Sequence, residues 1–229
     1  MPTKLCVPIP EAQIRQLRIG DQVLLSGVIF TGRDAAHKYM KETFIAGPCP
    51  QSEKPLYDIL KKGLAGGVIY HCGPVVKKGS VGDPPAARIR DAGLGGPALR
   101  GVAPVERYEF VAAGPTTSIR EEPYQAAVIE HFGLRAVIGK GGMGARTLEA
   151  CGKFGAVYLH AIGGAATLIA ESVKEVVAVH KLEFGVPEAF WQIRVEDFPC
   201  VVTMDSHGAS LHAKVRADSQ RKLKALLAG

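Results

Sequence analysis

Gly114-Pro115-Thr116-Thr117-Ser118-Ile119-Arg120 and, further along, Gly139-Lys140-Gly141-Gly142-Met143 are two polar, glycine-containing turns. At each, an apolar strand-like run gives way to a helix-like one. Around the second turn the pattern is plain. Arg135–Ile138 predicts a strand, and Ala145–Phe154 a helix that Gly155 closes. Val157–Ile162 predicts the next strand, Gly163-Gly164 the next turn and Ala165–Val176 the next helix. Strand, turn and helix repeated three times predict an α/β fold on a mainly parallel sheet. In such a fold, ligands bind at the carboxyl ends of the strands.

Working outward, Ser118 and Glu121 have the spacing of a capping box, and Gly133 is placed to end the helix it would start. Pro123 cannot donate inside that helix and is expected to shift or kink its start. Upstream, Gln22–Phe30 predicts a buried strand ending at Thr31-Gly32-Arg33. Asp34–Phe44 and Leu56–Leu64 predict helices, and Gly67–Tyr70 a short strand. Residues 1–20 read as an extended lead-in with a short helix from Pro10 to Leu17. Downstream, Val176–Phe184 and Ile193–Met204 have strand character, separated by Pro187. From Lys77 to Tyr108 the chain is rich in Gly, Pro and Arg without sustained periodicity, which is long for a connection inside a domain. This insertion-like segment, at about 77–108, is expected to contact a partner or fold over the site mouth through Arg88, Arg90, Arg100 and Arg107.

The 229 residues are enough for one α/β core, so residues 1–229 are read as one domain. Hydrophobic content of 47% and charged content of 22% are those of a globular protein. The net charge of +6 is spread along the chain, which excludes a nucleic-acid binder of the clustered-basic kind. The exception, Lys214 to Lys224, reads as a solvated helix face backed by Leu211, Val215, Leu223, Leu226 and Leu227. No run reaches the ~18 apolar residues of a membrane span, and the N-terminus has no basic-then-apolar signal. No membrane association and a cytoplasmic location are expected. Cys6, Cys49, Cys72, Cys151 and Cys200 have no metal-site spacing and read as reduced thiols, so no metal ligands are assigned.

The cations at the turns carry the chemistry. Thr116 and Thr117 precede a helix start, where free N–H groups and the helix dipole favour a carboxylate, and Arg120 can fork onto the same anion. Lys140 lies between glycines that let backbone approach a ligand. Arg33 stands at the end of a strand, with Asp34 placed to cap the following helix and His37 one turn along it. His71 and Cys72 read as structural. The second turn superficially resembles the phosphate loop of ParA-like ATPases. It lacks that loop's second lysine and following hydroxyl, having Ala145 and Arg146 there.

Taken with Thr31-Gly32-Arg33-Asp34-Ala35-Ala36-His37, these turns resemble the C-terminal domain of class I fumarases. That domain also occurs as the separate beta subunit of two-chain fumarases and of L-tartrate dehydratase. The resemblance runs from about Ile19 to Asp205 and implies a swivelling three-layer β/β/α domain. It implies a hydro-lyase, most simply fumarate hydratase, with L-tartrate and mesaconate as alternative substrates. Arg33, Arg120 and Lys140 match the family's substrate-binding residues and Thr116 its proposed catalytic base, with His37 and Thr117 as further candidates. The family's cofactor is a four-iron four-sulfur cluster, a Lewis acid for the leaving hydroxide, held by three cysteines in the other domain or subunit. The resemblance therefore implies a cluster-bearing alpha subunit as partner, in an assembly of two alpha and two beta chains. A beta homodimer and a non-catalytic binding module are the other readings.

Overall fold

The computed structural model describes residues 1–79 and 108–228. Most of the insertion-like segment expected at 77–108 lies outside the described residues. Its flanks do not: β4 (Val75–Lys78) pairs antiparallel with β5 (Tyr108–Ala112) as a two-stranded ribbon.

The main sheet runs in the order β1 (Thr3–Cys6), β2 (Gln22–Thr31), β3 (Val68–Tyr70), β6 (Ala136–Gly139), β7 (Val157–His160), β9 (Phe190–Met204) and β8 (Val173–His180). Pairs from β1 through β7 are all parallel. β9 is antiparallel to both β7 and β2, as well as to β8. Its 15 residues are long enough for one end to reach β7 while most of its length lies along β2. The mixed α/β sheet thereby curls into a partial barrel.

Helices α1 (Glu11–Ile14), α2 (Asp34–Met40), α3 (Lys54–Leu64), α4 (Glu122–Phe132), α5 (Ala145–Phe154), α6 (Ala166–Glu171) and α7 (Leu211–Ala228) complete the chain. The central strands are apolar on both faces because both are covered. Val68, Tyr70, Ala136, Ile138, Val157 and Leu159 point into one core, shared with residues of β2 and β9. The alternate residues Ile69, Val137 and Tyr158 enter a second core, with Met40, Leu60, Leu64, Val128 and Phe132 from the helices.

Several expectations change. The lead-in contains β1, paired parallel to β2, which four residues could not announce by periodicity. The helix expected to reach Val176 stops at Glu171, because Val173 onward pairs with β9. The capping box does not form. Ser118–Glu121 is a 3-10 turn, and α4 begins at Glu122 with Pro123 in its first turn, where a missing N–H costs nothing. The apolar side of α7 stays exposed, from 56% at Val215 and Leu223 to 80% at Leu226. Among the described residues no helix is long and apolar enough to cross a membrane.

Register places the turns that carry the cations. Thr31 pairs with Tyr70, and Tyr70 with Ile138, so β2, β3 and β6 end side by side. The turns after them open on one edge.

Gly67 sits where α3 hands the chain to β3. A Cβ there would collide with the Gly63 carbonyl oxygen and come within 2.8 Å of the Leu64 Cα, both backbone atoms that cannot swing aside. Gly67→Ala is therefore expected to destabilise the fold by about 2 kcal/mol. Urea unfolding midpoints measure this, and an unchanged midpoint would mean that the junction is slack.

Candidate functional site

The segment after β5 threads between the ends of β3 and β6. Pro115 bridges to Cys72, and Thr117 bridges to Lys140. The Thr116 N–H donates to the His71 carbonyl at 2.7 Å, the Lys140 N–H to the Thr116 carbonyl at 3.1 Å, and the Ser118 N–H to the Lys140 carbonyl at 3.0 Å. Two short extra rungs, one antiparallel to Cys72 and one parallel to Lys140, thus extend the sheet and hold Thr116 and Lys140 in fixed register. The Thr116 and Ser118 amides are consumed in this pairing. Of the free N–H groups expected from the sequence, these two are unavailable to an anion, which leaves more of its recognition to side chains.

Arg120 reaches back over one turn. Its Nη2 donates to Thr116 Oγ1 at 2.8 Å and lies 3.2 Å from Asp34 Oδ2. Asp34 does not cap α2. The Ala35 N–H is taken by Glu188 Oε2 at 3.1 Å, from the loop before β9, and Glu188 Oε1 lies 3.3 Å from Arg33 Nη2. Arg33 Nε is buried with no acceptor among the described residues. Gly73 makes room for this guanidinium, since a Cβ there would lie about 3 Å from Arg33 Cδ and closer still to Nη1. Lys140 is half-buried, its stem beside the Gly163 turn. Thr116 is half-buried and Thr117 exposed. Arg33, Asp34, Arg120, Thr116 and Lys140 are thus carried by adjoining turns. Glu188 had no sequence signal.

The next helix start is already occupied. Glu122 accepts from the N–H groups of Gly144, Arg146 and Thr147 at 2.8, 3.1 and 3.3 Å and from Thr147 Oγ1 at 2.6 Å. A nucleotide phosphate would need those same amides. The positions where a ParA-like loop holds phosphate are filled by the protein's own carboxylate.

Beneath the cations lies a buried polar network that sequence reading missed. His37 is fully buried, with Nδ1 2.9 Å from the Arg33 carbonyl and Nε2 3.0 Å from Gln125 Oε1. It braces Arg33 from behind and does not face the site opening. Gln125 Oε1 is also 2.9 Å from His71 Nε2, and His71 Nδ1 is 2.8 Å from Ser118 Oγ, which accepts from the Tyr158 hydroxyl at 2.8 Å. Burial pushes the pKa of His37 down to about 4 and lowers that of His71 as well, so both rings are neutral. A neutral His37 that donates from Nδ1 needs a donor at Nε2. Half a turn of the Gln125 amide supplies one to each ring, using the amide nitrogen that otherwise has no partner.

Glu121 adjoins this network. It is buried, its Oε2 is 4.0 Å from His71 Nδ1, and neither oxygen has a side-chain hydrogen-bond partner among the described residues. Burial, reinforced by Asp34, pushes its pKa up to about 7.

The described residues contain no group of three His, Cys, Asp or Glu arranged to hold a metal ion. Burial pushes the Cys72 and Cys151 thiols up to about 12 and raises that of Cys200. These thiols are protonated in the chain as it stands, which makes them poor nucleophiles.

The sequence matches the family model described as Fumarase C-terminus over residues 3–89 and 95–215. It is 46% identical over 219 residues to a protein of Geobacillus stearothermophilus named "Putative fumarate hydratase class I". That match covers 96% of this chain but 35% of the relative, so the chain spans about a third of that protein's length. It is 35% identical to the L(+)-tartrate dehydratase subunit beta of Escherichia coli K12, covering 92% of this chain and 86% of the relative.

The protonation states oppose one another. Glu121 binds a proton more tightly folded than unfolded, so its contribution to stability is full below about pH 4.5 and is lost as pH rises through about 7. His37 behaves oppositely, losing stability as pH falls from about 6.5 through about 4. Glu121→Gln is expected to raise stability at pH 8 by roughly 3 kcal/mol, with no gain below pH 4.5. It should also steepen acid sensitivity between those limits. Chemical denaturation across pH measures both, and a gain independent of pH would show Glu121 to be an ordinary carboxylate.

Proposed function

This chain belongs to the fumarase C-terminus family, and on that footing we propose that it is the beta component of a two-part hydro-lyase for a small dicarboxylate. We favour fumarate, hydrated reversibly to L-malate. The relative named for fumarate hydratase shares 46% identity, against 35% for the one named for tartrate. L-Tartrate and mesaconate are the alternative substrates. The observation that carries the reading is the Arg120 guanidinium held on the Thr116 hydroxyl, beside an Arg33 whose buried Nε lacks an acceptor among the described residues.

Arg33, Arg120 and Lys140 supply three cations for the two carboxylates of such a substrate. As a proton leaves the carbon beside one carboxylate, negative charge moves onto that carboxylate's oxygens. A cation already fixed there gains strength in the transition state, where stabilisation raises the rate. Thr116 is the proposed base. A threonine hydroxyl is a weak one, and a guanidinium 2.8 Å away favours its ionised form. Arg120 would then serve both the substrate and the base, with Asp34 holding it in place.

The described residues bring no three cysteines together, so they do not fit the family's four-iron four-sulfur cluster. In this reading the cluster belongs to an alpha subunit, a partner in keeping with the subunit-beta name of the Escherichia coli relative. The assembly is proposed as two alpha and two beta chains in the cytoplasm.

Co-expression with a cluster-bearing alpha subunit, followed by a panel of fumarate, L-tartrate and mesaconate, tests the function. The chain alone is expected to be inactive and the pair active, and full turnover by the lone chain would refute the two-part reading. In the pair, Arg120→Ala should lower kcat/KM by about 10²-fold. Thr116→Val should depress kcat more than it alters KM. If it raised KM alone, the base would lie elsewhere.

A further inference from the structure

Glu121 lies wholly buried at the end of the turn that carries Thr116 and Arg120, with no side-chain donor bonded to either carboxylate oxygen among the described residues. A carboxylate so placed would forfeit its hydration, with its own backbone N–H as a partial return. Groups from several elements bear on it. Arg33 and Asp34 act from the start of α2, Arg120 from its own turn, Tyr158 from β7, and His71 from the segment after β3. His37, on α2, packs edge-on against His71 with ring centroids 4.9 Å apart. The two imidazoles are neutral and bonded to Gln125, and His71 also to Ser118, so neither is free to neutralise Glu121. Asp34 disfavours its ionised form. The two guanidiniums favour it, and they are the same groups proposed to bind substrate.

An ionised Glu121 and a bound dianion therefore compete for Arg33 and Arg120. We propose that Glu121 is a positioning residue whose carboxylate, where ionised, is driven to take up a proton from solvent as a dicarboxylate binds, leaving the attraction of the two guanidiniums to the ligand. The inference rests on the dicarboxylate reading of the site. Once a dianion neutralises the arginines, Glu121's own backbone N–H is what still favours its ionised form, against burial and Asp34, and the neutral acid gains. By linkage, ionising Glu121 weakens dianion binding to the same extent.

One measurement needs no partner subunit. Carbon-13 NMR follows the glutamate carboxyls of the full chain across pH, with Glu121 assigned by its loss in Glu121→Gln. Glu121 is expected to titrate above the other glutamates. Arg120→Gln, which mimics a neutralised guanidinium, should raise its midpoint by about one unit, tenfold in the ionisation constant. Saturating succinate should shift the wild-type chain in the same direction. A midpoint in the ordinary carboxylate range, or one unmoved by Arg120→Gln, overturns the proposal. Succinate bound without a shift overturns it too. No succinate bound by the chain or by its complex with alpha overturns instead the dicarboxylate reading beneath it.

In that complex, KM should rise up to tenfold as pH passes the midpoint while kcat holds. Glu121→Gln, locked neutral, should flatten that rise. A merely structural Glu121 would leave the KM profile of the variant parallel to wild type, and that result would overturn the assignment.

Discussion

The site depends on three backbone hydrogen bonds, those that thread Thr116–Ser118 between the ends of β3 and β6. They form because β2, β3 and β6 are parallel and end in one row, so the gap beyond β3 has carbonyls and amides in register on both sides. A turn tied in this way behaves as part of the sheet. Thr116 and Lys140 are thereby fixed relative to each other without help from any ligand, and such preorganisation is what lets fixed charges lower a barrier.

Cations held close together repel, and the structure offsets this with acids of its own. Asp34 meets Arg120 and Glu188 meets Arg33, each leaving part of the guanidinium for a ligand. These pairs hold the planar groups in place at the cost of some attraction for an incoming anion. Glu121 stands in the second rank, where an added negative charge would weaken the same cations. The neutral Gln125–His37–His71–Ser118 network beneath supports the cations without adding charge. It links the Arg33 carbonyl to the Thr116 turn through one glutamine side chain.

Among the described residues no three His, Cys, Asp or Glu side chains come together to hold a metal ion, the buried Cys72 is held protonated, and the apolar residues of α7 remain uncovered. The chain also spans about a third of the length of its Geobacillus stearothermophilus relative. The two-part enzyme proposed above would account for these features together.

The sequence by itself determined whatever rests on local periodicity and turn chemistry. The strand–turn–helix unit from Arg135 to Phe154, the helix ends at Gly133 and Gly155, and the placing of the cations Arg33, Arg120 and Lys140 between strands and helices were legible in it. Short runs could not speak for themselves. β1 is four residues long, and the helix before β8 was cut short by pairing with β9, neither of which local propensity encodes. Ser118 and Glu121 show the limit most clearly. Their spacing reads as a cap, yet Ser118 turns to His71 and Tyr158, and Glu121 is buried without a side-chain partner among the described residues. Only the tertiary structure brought Glu188 to Arg33, or Gln125 between two histidines. Those contacts join residues far apart in the chain, and the order of strands in the sheet, which no local pattern specifies, decides which of them meet.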